Sequence, residues 1–270
     1  MDRMSDAPGP CGAEEASIAT PTCTVVIPCY NEAARFQADA FARFLQDGRS
    51  RAINLLFVND GSSDSTLAVL SSFREQFPSR VAVLDQQRNR GKAEAVRNGM
   101  LHVIASGHAS VTGFWDADLA TPLEQIIDFL HLLEIRPELN MIFGSRVRLL
   151  GRDIQRQPLR HYLGRCFATV ASVLLRLAVY DTQCGAKLFR ITPELRQVLA
   201  EPFHSRWIFD VEIIARFLAM HKHDHAAIAR QIYEYPLPVW TDVAGSKVRS
   251  TDFLRAFGEL ATIYRRHLSG

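Results

Sequence analysis

Trp115-Asp116-Ala117-Asp118 sets two carboxylates at i and i+2 directly after a short apolar run. If the chain bends there, both can reach one hard cation. Mg²⁺ and Mn²⁺ suit such a pair, because they are usually held by one or two carboxylates together with substrate phosphates. Taken alone, the two acids have a plainer role as caps for the helix that follows. Three other polar clusters add weight. Pro28-Cys29-Tyr30-Asn31-Glu32 and Asn59-Asp60-Gly61-Ser62-Ser63-Asp64 combine an aromatic ring, amides and carboxylates suited to a flat heterocycle with N–H donors. Arg88-Asn89-Arg90-Gly91-Lys92 brings cations to the predicted start of a helix, where charge and helix dipole favour an anion. Arg146, Arg148 and Arg152 form a second basic group.

Several other chemistries are excluded. No Gly-x-Gly-x-x-Gly follows the first apolar run, and Gly91-Lys92 lacks the upstream glycine of a phosphate loop. His221, His223 and His225 alternate in a polar stretch that reads as an exposed helix end or loop rather than a metal tract. Cys184 lies in a predicted turn, and no Ser-His-Asp or Cys-His arrangement stands out.

The elements that must position these clusters are short strands alternating with helices. Strands are predicted at Thr22–Ile27, Ile53–Val58, Val81–Leu84, Val111–Trp115 and Met141–Phe143. Helical spacing covers Glu32 to Gln46, the stretch after Ser62-Ser63-Asp64, and Lys92 to Ser106. Thr121-Pro122-Leu123-Glu124 reads as a capping box for a further helix. Such alternation predicts an α/β fold with a mostly parallel sheet, whose ligands bind at the carboxyl ends of strands. Each polar cluster follows a predicted strand, so all should meet on one edge. Residues 1–20 read as a flexible tail and 21–270 as one domain. Its expected parts are a nucleotide-binding half (21–120), an acceptor half (121–250) and a C-terminal helix (251–270).

Of the 270 residues, 47% are hydrophobic, and 31 Lys and Arg against 29 Asp and Glu leave a charge of +2. That bias is too weak to argue for nucleic acid as a partner. Five cysteines without a Cys-x-x-Cys pair fit a reduced, cytoplasmic setting. No run approaches the ~20 apolar residues of a membrane span. Pro158–Val179 mixes arginines with Leu163, Phe167, Val170 and Leu174, an amphipathic pattern whose default is packing on the sheet. The alternative is peripheral contact with the inner face of an anionic membrane.

In order and spacing the clusters resemble family 2 glycosyltransferases: Pro-x-Tyr-Asn-Glu, Asp-Gly-Ser-x-Asp, a basic Gly-Lys segment, then the Asp-x-Asp motif. The resemblance covers roughly residues 22–250. Asp181-Thr182-Gln183-Cys184-Gly185-Ala186-Lys187-Leu188-Phe189, Arg206-Trp207-Ile208-Phe209-Asp210-Val211-Glu212 and Gly245-Ser246-Lys247 narrow it. They look like dolichyl-phosphate β-glucosyltransferases and their bacterial polyprenyl-phosphate relatives. Ala93-Glu94 departs from that subgroup, which has small glycines there.

The resemblance implies a nucleotide-sugar-binding, glycosyltransferase A-type fold and an inverting, metal-dependent hexosyl transfer. Its donor would be UDP-glucose or a similar nucleotide-sugar, its cofactor Mg²⁺ or Mn²⁺, and its acceptor a polyprenyl or dolichyl phosphate. A soluble acceptor and a non-catalytic nucleotide-sugar-binding protein remain as alternatives. Pro28, Tyr30, Glu32 and Asp60 would surround the base and ribose. Lys92 would lie near the donor, and Asp118 with Asp116 would hold the metal. Arg146, Gln183 and Lys247 would face the phosphates or acceptor, and Asp210 and Glu212 would lie across from the sugar. For a hydroxyl acceptor, one of those two would act as general base.

Overall fold

The structure is a computed structural model that describes residues 22–155, 158–242 and 250–269. The expected tail and Lys247 lie outside the described residues. In chain order the first part runs β1 (Cys23–Cys29), α1 (Ala38–Gln46), β2 (Ile53–Asp60), α2 (Thr66–Gln76), β3 (Val81–Gln86) and α3 (Lys92–Ser106). The middle runs β4 (Val111–Trp115), α4 (Gln125–Ile135), β5 (Met141–Ser145), β6 (Asp153–Gln155) and α5 (Pro158–Leu175). The last part holds β7 (Ala186–Arg190), α6 (Pro193–Ala200), α7 (Phe209–Met220), α8 (His225–Gln231), β8 (Ile232–Pro236), β9 (Val239–Thr241) and α9 (Ser250–Ile263).

Seven strands form one sheet in the order β3-β2-β1-β4-β7-β5-β8. β7 runs antiparallel to both neighbours, and the other pairings are parallel. The order explains why every residue of β4 and β5 is buried: each is flanked by strands on both sides and covered on both faces. Alternate residues divide between two cores. Val26, Leu56, Val58, Phe114 and Phe143 pack with α3 and α7. Val25, Ile27, Leu55, Phe57, Trp115 and Ile142 pack with α1, α2 and α4 on the other face.

This topology sets the place of the site. From β1 the order proceeds to β2 and β3 on one side and to β4 on the other. The crossover helices therefore lie on opposite faces, and their loops part at the carboxyl ends of β1 and β4. In open α/β sheets that parting is where ligands bind. Pro28 to Glu32 leaves one strand there, and Asp116 to Asp118 leaves the other.

The five predicted strands are present, and the helix predicted from Lys92 to Ser106 has those bounds. Three helix starts differ. The helix expected from Glu32 begins at Ala38, because the backbone of residues 31–33 is bonded instead to the β2–α2 loop. The helix expected after Ser62-Ser63-Asp64 begins at Thr66, and Asp64 accepts from the Thr66 and Ala33 N–H groups rather than capping from Ncap. The Thr121–Glu124 capping box does not form: α4 starts at Gln125 without a side-chain cap, and the Thr121 carbonyl accepts the Trp115 indole N–H at 2.8 Å. The histidine tract is the end of α7 and the start of α8, with Lys222 and His223 at positive φ and His225 on the Leu175 carbonyl.

Candidate active site

The loops after β1 and β2 are stitched together. The Asn31 N–H donates to Ser62 Oγ at 3.0 Å, and the Ser63 N–H donates to Asn31 Oδ1 at 2.9 Å. Glu32 N–H donates to Thr66 Oγ1 at 2.8 Å. These bonds hold Asn31 at φ 53°, in the left-handed region that Asn tolerates. The turn directs Tyr30 and Glu32 into a cleft above the strand ends.

Asp60 ends β2 with both carboxylate oxygens engaged: Oδ1 accepts the Arg90 N–H at 2.8 Å and Oδ2 the Gly91 N–H at 2.9 Å. Burial pushes its acid up, and the two N–H donors pull it back. Gly61 has φ 61°, and a Cβ there would lie 2.4 Å from the Arg88 and Asn89 backbone. Only glycine lets the basic segment come this close, and so places Lys92 at the first turn of α3 over the cleft. Ala93 is core and Glu94 turns away, bonding Arg97 at 2.9 Å and accepting the Phe203 N–H. Neither residue lines the cleft.

Asp116 and Asp118 flank the same cleft. Lys92 Nζ stands 2.5 Å from Asp116 Oδ1, and the Asp116 N–H donates to the Gly185 carbonyl at 2.9 Å. The Asp116 carboxylate lies over Gly185, where a Cβ would come 1.9 Å from Oδ2. Asp118 is anchored by the Ala120 N–H on Oδ1 and by Gln37 on its carbonyl. Its acid is raised, first by burial and then by the Asp116 charge. Two hard oxygen donors whose charges oppose one another, with Gly185 leaving room for the Asp116 carboxylate, fit a divalent cation.

The cleft has a volume of about 400 Å³ and collects Pro28, Tyr30, Glu32, Asp60, Lys92, Asp116 and Asp118. Arg35, ion-paired to Glu32 at 2.6 Å, and Trp207 line it too. Neither stood out in the sequence. Arg35 fell inside what read as a helix, and Trp207 inside a motif with no geometry attached.

Helix α7 divides the two late acids. Residues two apart on a helix point about 200° away from each other, so Asp210 and Glu212 do not both face the cleft. Asp210 turns toward β7, where Lys187 Nζ is 3.1 Å from its Oδ1. That lysine is fully buried, and its ammonium also donates to the Cys184 carbonyl and sits over the Phe114 and Phe143 rings. Burial raises the Asp210 acid, while the Lys187 and Lys92 charges lower it.

Glu212, fully buried, is spent on structure. It accepts from Arg216 at 2.7 Å, from the Ser205 N–H at 2.9 Å and from His204. Burial alone would raise its acid, but the His267 ring, Ser205 and His204 more than offset this and hold it at about 2. His204, Glu212 and His267 could geometrically hold a metal, but the Arg216 guanidinium already occupies the shared oxygen. A depressed acid stabilises the fold above its ordinary value of 4.5 and loses that contribution as pH falls toward 2. Glu212→Gln should therefore cost about 3 kcal/mol at pH 7 by urea unfolding. The gap from the parent should close below pH 4.5. A gap unchanged down to pH 3 would show that the ionised carboxylate is not its source.

Arg146 and Gln183 line a separate, narrow cavity with Arg165, Tyr180 and Asp181 rather than the main cleft. Arg146 forms a two-bond pair with Asp181 at 2.6 and 2.8 Å and lies over the Trp240 ring. The Gln183 N–H donates to the same carboxylate.

The sequence pattern described as glycosyl transferase family 2 matches residues 24–194. The dolichyl-phosphate beta-glucosyltransferase of Dictyostelium discoideum is 32% identical over 238 residues, 83% of this chain and 68% of that one. Its Saccharomyces cerevisiae counterpart is 32% identical over 269 residues, 92% and 75% of the two chains. Both are eukaryotic, which gives no support to a bacterial assignment. Among solved structures, glucosyl-3-phosphoglycerate synthase from Mycobacterium tuberculosis, in complex with Mn²⁺, UDP and glucosyl-3-phosphoglycerate, superposes with a TM-score of 0.63. At 19% identity, covering 98% of this chain and 86% of that one, it speaks for the fold alone.

Proposed function

The chain belongs to glycosyl transferase family 2, and from that premise we propose that it transfers glucose from UDP-glucose to a polyprenyl or dolichyl phosphate, inverting the anomeric carbon. The observation that carries this reading is the convergence of Tyr30, Glu32, Asp60, Lys92, Asp116 and Asp118 on one cleft at the topological switch point. The dolichyl-phosphate beta-glucosyltransferases among the relatives supply the donor sugar and the acceptor class.

Pro28, Tyr30, Glu32 and Asp60 hold the base and ribose, and Asp116 and Asp118 would hold Mg²⁺ or Mn²⁺ at the diphosphate end of the cleft. The ion, when bound, supplies Lewis-acid stabilisation of the charge on the departing diphosphate. Lys92 adds a second positive charge at the same place. An oxygen of the acceptor phosphate forms the new bond to the anomeric carbon. The bond to the UDP oxygen breaks, and its electron pair leaves with UDP. A phosphate acceptor is already anionic and needs no strong base, which agrees with Asp210 being tied to Lys187. Asp210 then stays paired with Lys187, Glu212 holds the fold, and the resemblance puts Arg146, Gln183 and Lys247 toward the phosphates or acceptor.

Among the described residues, no helix is long and apolar enough to cross a membrane. What the described residues offer a lipid acceptor is their surface. Val170 and Val173 on α5, Phe257 on α9 and Tyr264 just beyond it are exposed, with Arg176, Arg265 and Arg266 beside them. Apolar and aromatic groups flanked by arginines suit an anionic bilayer, here its cytoplasmic face.

One preparation tests both parts. The protein is incubated with UDP-glucose, Mg²⁺ or Mn²⁺, and anionic vesicles carrying dolichyl phosphate. Glucosyl phosphodolichol and UDP should form in equal amounts, abolished by EDTA, and the protein should float with the vesicles. Transfer to a soluble phosphate ester alone would overturn the lipid acceptor. Donor binding without UDP release would overturn the enzyme, and failure to float would overturn the membrane contact.

A further inference from the structure

Trp207 is 38% exposed, and that exposed part lines the cleft with Lys92, Asp116 and Asp118. The contrast with Trp115 is direct, since Trp115 is fully buried with its N–H on the Thr121 carbonyl. An indole left in a cleft that also holds charged groups keeps apolar surface against water that a ligand would remove. Its flat face and N–H suit a group with one apolar and one polar side. A pyranose has that character: its axial C–H bonds form an apolar patch, and its hydroxyls stay polar.

The loop that carries Trp207 is held by hydrogen bonds. Ser205, in the same loop and buried, donates through Oγ to Glu259 Oε2 at 2.5 Å. The Trp207 N–H donates to the same oxygen at 3.2 Å. The Ile208 N–H donates to Ser205 Oγ at 2.7 Å, which ties the loop to the first turn of α7. Glu259 belongs to α9, so a carboxylate from the end of the chain holds the loop that faces the Asp116 cleft.

We propose that Trp207 is the platform on which the glycosyl group of the donor rests, and that Glu259 is the positioning residue that holds it there. This deepens the nucleotide-sugar reading and rests on it. Trp207 meets the sugar and not the nucleotide, because Tyr30 and Asp60 at the ends of β1 and β2 already take the nucleotide side, whereas Trp207 enters from the α6–α7 loop. Glu259 touches no substrate and acts through the backbone of residues 205–207.

Binding and turnover are measured separately. Intrinsic fluorescence is followed while UDP-glucose or UDP alone is added with Mn²⁺. The parent should respond to UDP-glucose beyond its response to UDP, and Trp207→Phe should lose that difference. Trp207→Ala should raise the KM for UDP-glucose on the order of tenfold, with UDP affinity unchanged. Glu259→Ala should raise the same KM and blunt the fluorescence difference, with its melting temperature close to the parent's. Glu259→Gln, which keeps a carbonyl oxygen for the Trp207 N–H, should recover most of both. Equal loss of UDP affinity in Trp207→Ala would place the indole at the nucleotide and overturn the proposal. So would unchanged UDP-glucose kinetics in Trp207→Ala. A Glu259→Ala defect seen only as a lowered melting temperature would overturn the positioning role. If the parent binds neither UDP nor UDP-glucose, the nucleotide-sugar reading itself fails, a result distinct from these.

Discussion

Asp118→Asn is expected to lower turnover by roughly 10²–10³-fold, the usual cost of removing one group that stabilises transition-state charge. The substitution keeps the size of the side chain and an oxygen for the Ala120 N–H, so the loop from 116 to 120 should stay in place. What goes is the negative charge. In the protein without cation that charge is a liability: burial and the neighbouring Asp116 both push the Asp118 acid up. An acid raised on folding destabilises the folded state once it is ionised, so Asp118→Asn should melt at the same temperature as the parent or slightly above it. Mn²⁺ with UDP should raise the melting temperature of the parent and leave the variant nearly unmoved, since binding to the folded state alone stabilises it. Turnover within a few-fold of the parent would sink the assignment. So would a melting temperature several degrees lower without cation, because that would make Asp118 a structural group.

Gly185→Ala is expected to cost about 10²-fold in turnover, the effect of misplacing a reacting group by roughly an ångström. The new methyl would lie 1.9 Å from Asp116 Oδ2 and 2.2 Å from its Cγ, and its three nearest atoms are all in that one carboxylate. A short polar side chain at a cleft can swing aside, so the strain is relieved by moving Asp116 rather than the sheet. Its bond from Lys92 at 2.5 Å would then lengthen or break. The fold should survive with little loss of stability, while the apparent affinity for Mn²⁺ in the turnover assay weakens in parallel with rate. Unfolding of the variant would show that the clash falls on the sheet and is not relieved by moving Asp116. Unchanged metal dependence would show that the Asp116 carboxylate does not need its present position.

The strand-end clusters were legible because they are local. Pro28 to Glu32, Asn59 to Asp64 and Asp116 to Asp118 each lie within a few residues of an apolar run, and parallel strands bring such ends to one edge wherever the runs alternate with helices. The late acids were not legible in the same way. Asp210 and Glu212 differ by two positions, a spacing that shares one face on a strand and opposite faces on a helix. The motif alone does not say which applies, and α7 decided it. β7 was missed for a related reason. Ala186-Lys187-Leu188-Phe189-Arg190 carries a lysine at a position that is fully buried, and its countercharge is Asp210, from a distant helix.

By itself, then, the sequence determined the α/β class, the positions of the five early strands, and the carboxylate pair Asp116 and Asp118. Those depend on periodicity and on chemistry within a few residues. The tertiary structure decided which groups stand beside them: Lys92 on Asp116, Gly185 beneath it, Arg35 on Glu32, Trp207 across the cleft and Glu259 behind Trp207. Each of these meetings joins segments far apart in the chain, through a sheet order and an antiparallel strand that no local pattern encodes. A carboxylate pair is a motif in the sequence, but its space, its charge and its partners are set by chain segments that meet only on folding.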